Sequence, residues 1–203
     1  MLASGGGTNL GAIFRAIDAK ALDAQVVTVV SNRGDAGALD RARERGVPTA
    51  VVPHQDFVTR ELFDAALVKE LREARADWVV LAGFMRLVTP VLLDAFPLRV
   101  INVHPALLPA FPGAHAHRDA LAYGVRVSGC TVHFVDAGAD TGPIIAQTAV
   151  AVSVEDTAET LAARVLVEEH ALLPRVLQWI AEGRVTVEVR GEAERPIVRV
   201  RAP

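Results

Sequence analysis

A chain of 203 residues, 51% of them hydrophobic and with no sharp compositional break, can bury one sizeable core, so a single domain is expected. A net charge of −3 and six scattered histidines argue against a polyanion binder, so nucleic acid is not an expected partner. The one cysteine, Cys130, excludes an internal disulfide and a cysteine zinc cage, and no uncharged apolar run reaches the roughly 18 residues of a membrane span, so a reducing, cytoplasmic setting is expected.

Met1-Leu2-Ala3 runs straight into Ser4-Gly5-Gly6-Gly7-Thr8-Asn9, without the basic and apolar segments of a signal peptide. Leu10, Ile13, Phe14 and Ile17 then recur at helical spacing, with Thr8 or Asn9 as the expected cap. Free N–H groups at such a helix start attract an anion, most often a phosphate. The loop matches neither the dinucleotide fingerprint nor the P-loop pattern. Only three residues precede Ser4, so the strand leading into the loop is expected to be short.

Val27–Val30 reads as a strand, Asp35–Arg45 as a helix closed by Gly46, and Thr49–Val52 as a second strand. Phe57–Arg75 reads as a long helix with Phe63, Ala66, Leu67 and Leu71 on one face. Trp78–Ala82 is a continuous apolar run, as in a parallel strand covered on both sides. A turn at Gly83–Leu87, a short helix opened by Pro90 and a strand at Leu98–Val103 follow. Ala116–Tyr123 reads as a helix, Val127–Val135 and Ile144–Ala151 as an antiparallel pair, and Ala158–Ala181 as the longest helix, with Pro174 expected to kink or divide it. Val185–Val189 and Ile197–Val200 complete a peripheral hairpin. The alternation implies an α/β fold: an open, mostly parallel twisted sheet with helices on both faces and a mixed, antiparallel C-terminal part. Right-handed crossovers then gather Ser4–Asn9, Gly83–Leu87 and Asn102–Pro109 at the strand C-terminal rim, where open α/β sheets bind ligands.

Two segments place polar groups where packing prefers none. Asn102 and His104, two apart, point the same way from a strand end stiffened by Pro105, and His133 and Asp140 precede Thr141-Gly142-Pro143. An amide and an imidazole can stabilise charge developing on a carbonyl oxygen, and a carboxylate can take a proton. No nucleophile accompanies them: Cys130 lies on the apolar side of its strand, as a structural thiol does. His115 and His117 lack metal-ligand spacing, so no metal is expected, and His54 and His170 read as surface or interhelix residues. Such a cluster suits attack by a substrate's own amine on an acyl carbon.

Ser4-Gly5-Gly6-Gly7-Thr8-Asn9-Leu10, Leu81-Ala82-Gly83-Phe84-Met85-Arg86, Asn102-Val103-His104-Pro105-Ala106-Leu107-Leu108-Pro109 and Asp140-Thr141-Gly142-Pro143 together resemble the folate-dependent formyltransferase family, on its phosphoribosylglycinamide formyltransferase branch. The likeness runs from Leu2 to about Gly183. It implies formyl transfer from 10-formyltetrahydrofolate to the amine of glycinamide ribonucleotide in purine synthesis, by a monomer or weak homodimer. By this resemblance Asn102, His104, Asp140 and His133 are the catalytic group, and Gly7, Thr8, Asn9 and Glu169 hold the phosphorylated substrate. Arg60, Met85, Arg86, Leu87, Val88 and Asn102 form the folate side. Residues 1–100 become a phosphate-binding half, 101–183 a catalytic and folate-binding half, and 184–203 a peripheral hairpin. The alternatives are a formyltetrahydrofolate hydrolase or another formyltransferase using the same site, or a nucleotide-phosphate- or folate-binding protein without activity.

Overall fold

The structure is a computed structural model, and it describes residues 1–189 and 195–202. Helix α1 (Thr8–Asp18) starts where the glycine loop ends and turns Leu10, Ile13 and Phe14 inward. Neither Thr8 nor Asn9 caps it: Gly7 holds the N-cap position in left-handed backbone and has no side chain to accept from the first turn. Strands β1 (Val29–Ser31) and β2 (Thr49–Val51) are parallel, joined through α2 (Gly37–Arg43). A Cβ at Gly7 would lie 2.6 Å from Ala38 Cα, so only glycine lets the loop pass this close to α2. Helix α2 is shorter at both ends than expected, because Asp35 is drawn into an ion pair with Arg33 and the chain turns out through Gly46.

Helix α3 (Arg60–Glu73) begins at Thr59, whose hydroxyl accepts from the Leu62 N–H at 3.2 Å. Phe57 stays extended instead of joining the helix, and its ring meets Phe63 edge-on at 5.8 Å. There follow β3 (Val79–Ala82), α4 (Pro90–Ala95), β4 (Val100–His104), α5 (Ala116–Tyr123), β5 (Val127–Phe134), β6 (Ile144–Ala151) and α6 (Ala158–Ala181). Strands β3 and β4 are parallel; β5 runs antiparallel to β4, and β6 antiparallel to β5.

Met1–Ala3 occupies the middle of this sheet. Leu2 bridges in parallel to Val30 on one side and Leu81 on the other, which links β1–β2 to β3–β6. The Leu2 N–H donates to Val80 O at 2.9 Å and the Ala3 N–H to Val30 O at 3.2 Å. The expected short strand is therefore a central one, and the glycine loop leaves from the sheet's midline.

Alternate strand residues feed two cores. Val80, Ala82, Ile101 and Val103 pack with Leu10, Leu39 and Leu172; Val79, Leu81 and Val100 pack with Phe63, Leu67 and Leu92. Helix α6 opens on a Thr157–Thr160 capping box and continues through Pro174 for 24 residues, so the expected division there does not occur. Buried packing around Pro174 holds the helix together despite the missing N–H. Strands β7 (Val185–Glu188) and β8 (Ile197–Val200) form the expected hairpin, and its connection at 190–194 lies outside the described residues. Among the described residues no helix is long and apolar enough to cross a membrane.

Candidate active site

Strand β4 delivers Asn102 and His104 to the rim on one face. The antiparallel register of β5 sets His133 directly opposite Asn102 and Thr131 opposite His104. The loop after β5 returns Asp140 to the same spot. Asp140 has φ 55°, a left-handed conformation that aspartate adopts more readily than most residues. The loop also comes back so tightly that a Cβ at Gly142 would lie 1.8 Å from Phe134 O.

Four polar side chains thus surround one point. Asp140 Oδ2 lies 3.3 Å from His104 Nδ1 and accepts from the Gly113 N–H at 2.8 Å. Asp140 Oδ1 lies 3.6 Å from His133 Nε2 and accepts from Asn102 Nδ2 at 3.3 Å. Both imidazoles are oriented by backbone carbonyls: His104 Nε2 meets Phe111 O, and His133 Nδ1 meets Phe134 O, each at 2.8 Å. A carbonyl only accepts, so those two nitrogens carry the protons. His133 Nε2 faces Asn102 Nδ2 at 3.3 Å and, in the neutral ring, offers it a lone pair. His104 Nδ1 is likewise a lone pair, set against a carboxylate oxygen. That pair lacks one proton of a hydrogen bond.

The electrostatics match this picture. Burial pushes the His104 pKa below its ordinary value, against an opposing pull from Asp140. Burial alone would raise the Asp140 carboxyl, but His133, the Gly113 N–H and the charge of His104 outweigh it and hold the pKa at about 2. At neutral pH the group is a carboxylate beside a neutral imidazole, ready to receive a proton. Cys130 is buried, with its thiol pushed up to about 12, chiefly by burial, so it is no nucleophile.

The cluster sits in a cleft of about 560 Å³ that runs on to the glycine loop. Gly7, Thr8, Asn9, Asn102, His104, His133, Asp140 and Glu169 all line it, as do Met85, Arg86, Leu87 and Val88. Arg60 does not: it is exposed at the first turn of α3. At the loop end, the uncapped first turn of α1 presents its N–H groups. Asn9 Nδ2 donates to Glu169 Oε2 at 2.8 Å, and Asn9 Oδ1 stays buried without a hydrogen-bond partner among the described residues. Burial raises the Glu169 pKa, with the Asn9 amide opposing. Met85 and Leu87 are exposed apolar side chains on the cleft wall, a surface suited to a flat ring.

Several supporting groups escaped the sequence reading. Ser4 Oγ donates to Asn32 Oδ1 at 2.6 Å and accepts from the Met85 N–H at 3.0 Å, tying the glycine loop to the opposite wall. His54 is not merely a surface residue, since its Nδ1 lies 3.2 Å from Asn32 Nδ2. Phe111 and Gly113 act through backbone atoms, which no side-chain pattern announces. Among the described residues no cluster of His, Cys, Asp and Glu is arranged to hold a metal ion.

A family model described as formyl transferase matches residues 1–177. The phosphoribosylglycinamide formyltransferase of Escherichia coli (strain K12) is 42% identical over 185 residues, 91% of this chain and 87% of that protein. The trifunctional purine biosynthetic protein adenosine-3 of Drosophila pseudoobscura pseudoobscura is 43% identical over 97% of this chain, which spans only 15% of that protein's length. The crystal structure of glycinamide ribonucleotide transformylase 1 from Symbiobacterium toebii superposes with a TM-score of 0.93 at 48% identity, covering 98% of this chain and 91% of that one.

Proposed function

This chain belongs to the formyl transferase family, and on that footing we propose that it is a phosphoribosylglycinamide formyltransferase of purine biosynthesis. It moves the formyl group of 10-formyltetrahydrofolate to the amine of glycinamide ribonucleotide. The observation that carries the proposal is the convergence of Asn102, His104 and Asp140 in a cleft continuous with the uncapped start of α1. The substrate phosphate sits on the N–H groups at Gly7–Asn9, where the helix dipole favours it, with Asn9 and Glu169 beside the sugar. The folate lies along Met85, Arg86, Leu87 and Val88, and the exposed Arg60 meets its acidic end.

The amine attacks the formyl carbon and the carbonyl electrons move to oxygen. Asn102 is the donor for that oxyanion: its amide contacts to Asp140 and His133 are both long, so one N–H is easily redirected. His104 keeps its own N–H on Phe111 O in this conformation, so its contribution is through the opposite nitrogen. The proton lost by the amine goes to the gap between Asp140 Oδ2 and His104 Nδ1. The carbon–nitrogen bond to the folate then breaks, and the proton passes to the departing nitrogen. Holding the two reactants together supplies much of the acceleration. No covalent enzyme intermediate and no metal enter the scheme. Residues 1–100 supply the phosphate loop and the Met85–Val88 wall for the folate, and 101–183 the catalytic group and Glu169, with the terminal hairpin peripheral. One chain suffices, as a monomer or weak homodimer in the cytoplasm.

The test is formyl transfer followed with and without glycinamide ribonucleotide. Product formation that requires the amine supports the assignment; formate release at the same rate without it marks a hydrolase instead.

A further inference from the structure

A second groove, of about 510 Å³, lies between α1 and α6 and shares no lining residue with the cleft. Its small side chains, such as Ala12 and Ala171, leave the space, and Arg15, Arg175 and Arg184 line it. Arg15 Nη1 and Arg41 Nη1 stand 3.5 and 3.7 Å from where a Cβ of Gly11 would be, so two guanidiniums converge on one patch beside the groove's end. Among the described residues neither has a carboxylate partner, and the one hydrogen bond from Arg41 is Nε to Gly6 O. Two like charges brought together without an anion repel each other. His170 stands next to them with Nε2 buried and unpartnered among the described residues. Burial first, then Arg15 and Arg41, push its pKa down.

Further along, Arg175 lies over the Trp179 ring at 5.3 Å and Arg184 at 5.8 Å. The acid in this part of the groove, Glu182, is taken up by Arg184 and Gln178, both at 2.9 Å. From His170 to Trp179 the groove extends about 13 Å at roughly 1.5 Å per helical residue, longer than a single phosphate and close to an extended nucleotide. Guanidiniums match phosphate oxygens in fork geometry, and an indole adds a surface for a base.

We propose that the α1–α6 groove binds a nucleoside triphosphate, with its phosphates on Arg15, Arg41 and His170 and its base at Arg175 and Trp179. The groove shares no lining residue with the cleft that holds the phosphorylated substrate, and Arg41, at its end, hydrogen-bonds Gly6 O on that cleft's glycine loop.

Calorimetric titration of the full chain at low salt, with ATP and separately with inorganic tripolyphosphate, tests this. Both anions bind, ATP several-fold more tightly. Joint substitution Arg15→Ala and Arg175→Ala weakens ATP by about tenfold or more, since one charge-assisted contact to phosphate and one guanidinium contact to the base are lost. Formyl transfer at saturating substrates stays unchanged in that variant. In the unsubstituted chain, ATP also raises the His170 pKa followed by NMR, a readout that needs no variant. Absence of binding by either anion at millimolar concentration overturns the proposal. So does ATP binding that survives the double substitution, or that glycinamide ribonucleotide displaces. Equal affinity for the two anions overturns the nucleotide assignment.

Discussion

His104 Nδ1 and Asp140 Oδ2 face each other across 3.3 Å with no proton between them when the imidazole is neutral. Asp140→Asn replaces that acceptor by a neutral amide, and turnover is expected to fall about 10²–10⁴-fold with little change in substrate affinity. Single-turnover rates and equilibrium binding separate the two; a near-normal rate removes Asp140 from proton transfer. The same residues shape the acid response. The folded-state pKa of His104 is lowered, so below the ordinary value of 6.5 the unfolded chain takes up a proton that the folded chain refuses. Stability therefore falls as pH drops through that range. Asp140, at about 2 against 3.8, contributes stability fully above 3.8 and loses it as pH falls toward 2. Urea midpoints at pH 7.5 and 5.5 are expected to differ, with the lower value at 5.5, and His104→Asn to shrink the difference. His117 and His170, also lowered by burial, act in the same direction. At this scale the sequence shows residue types but not their partners. The Asn102–x–His104 spacing implies a shared direction, whereas the Phe111 carbonyl and Gly113 N–H that orient His104 and Asp140 are invisible in it.

Among the elements, β5 has the most to hold. Thr131 Oγ1 donates to Ala106 O at 2.6 Å and accepts from the Leu108 N–H at 3.1 Å and from Gln147 Nε2 at 2.9 Å. This buried hub fixes the loop by which the chain leaves His104. Thr131→Val keeps the shape but leaves those groups unpaired, at a cost of about 1–3 kcal/mol. Chemical denaturation measures the loss, and turnover is expected to fall with it because the loop loosens. Helices and strands were legible from periodicity, and their ends were not. Phe57 reads as helical by pattern, yet packing on Phe63 keeps it outside α3. Pro174 reads as a break, yet burial carries α6 past it.

Across the whole molecule, the sheet depends on Leu2, which is fully buried and bridges both neighbouring strands. Leu2→Ala is expected to cost about 2–5 kcal/mol, seen as a lower denaturation midpoint with an unchanged slope. Three residues before a glycine loop read as a weak start. They serve as a central strand because β1 and β3 supply hydrogen bonds on both sides, a long-range fact. Apolar spacing, the glycine loop and the paired polar residues, all local in the chain, were enough by themselves to determine an α/β fold and the formyltransferase resemblance. Only the tertiary structure decided the β4–β5 register that sets His133 against Asn102, and the exclusion of Arg60 from the cleft. It alone also brought Arg15 and Arg41 together over Gly11. Each depends on contacts between residues far apart in sequence, whose geometry is set by how whole elements pack.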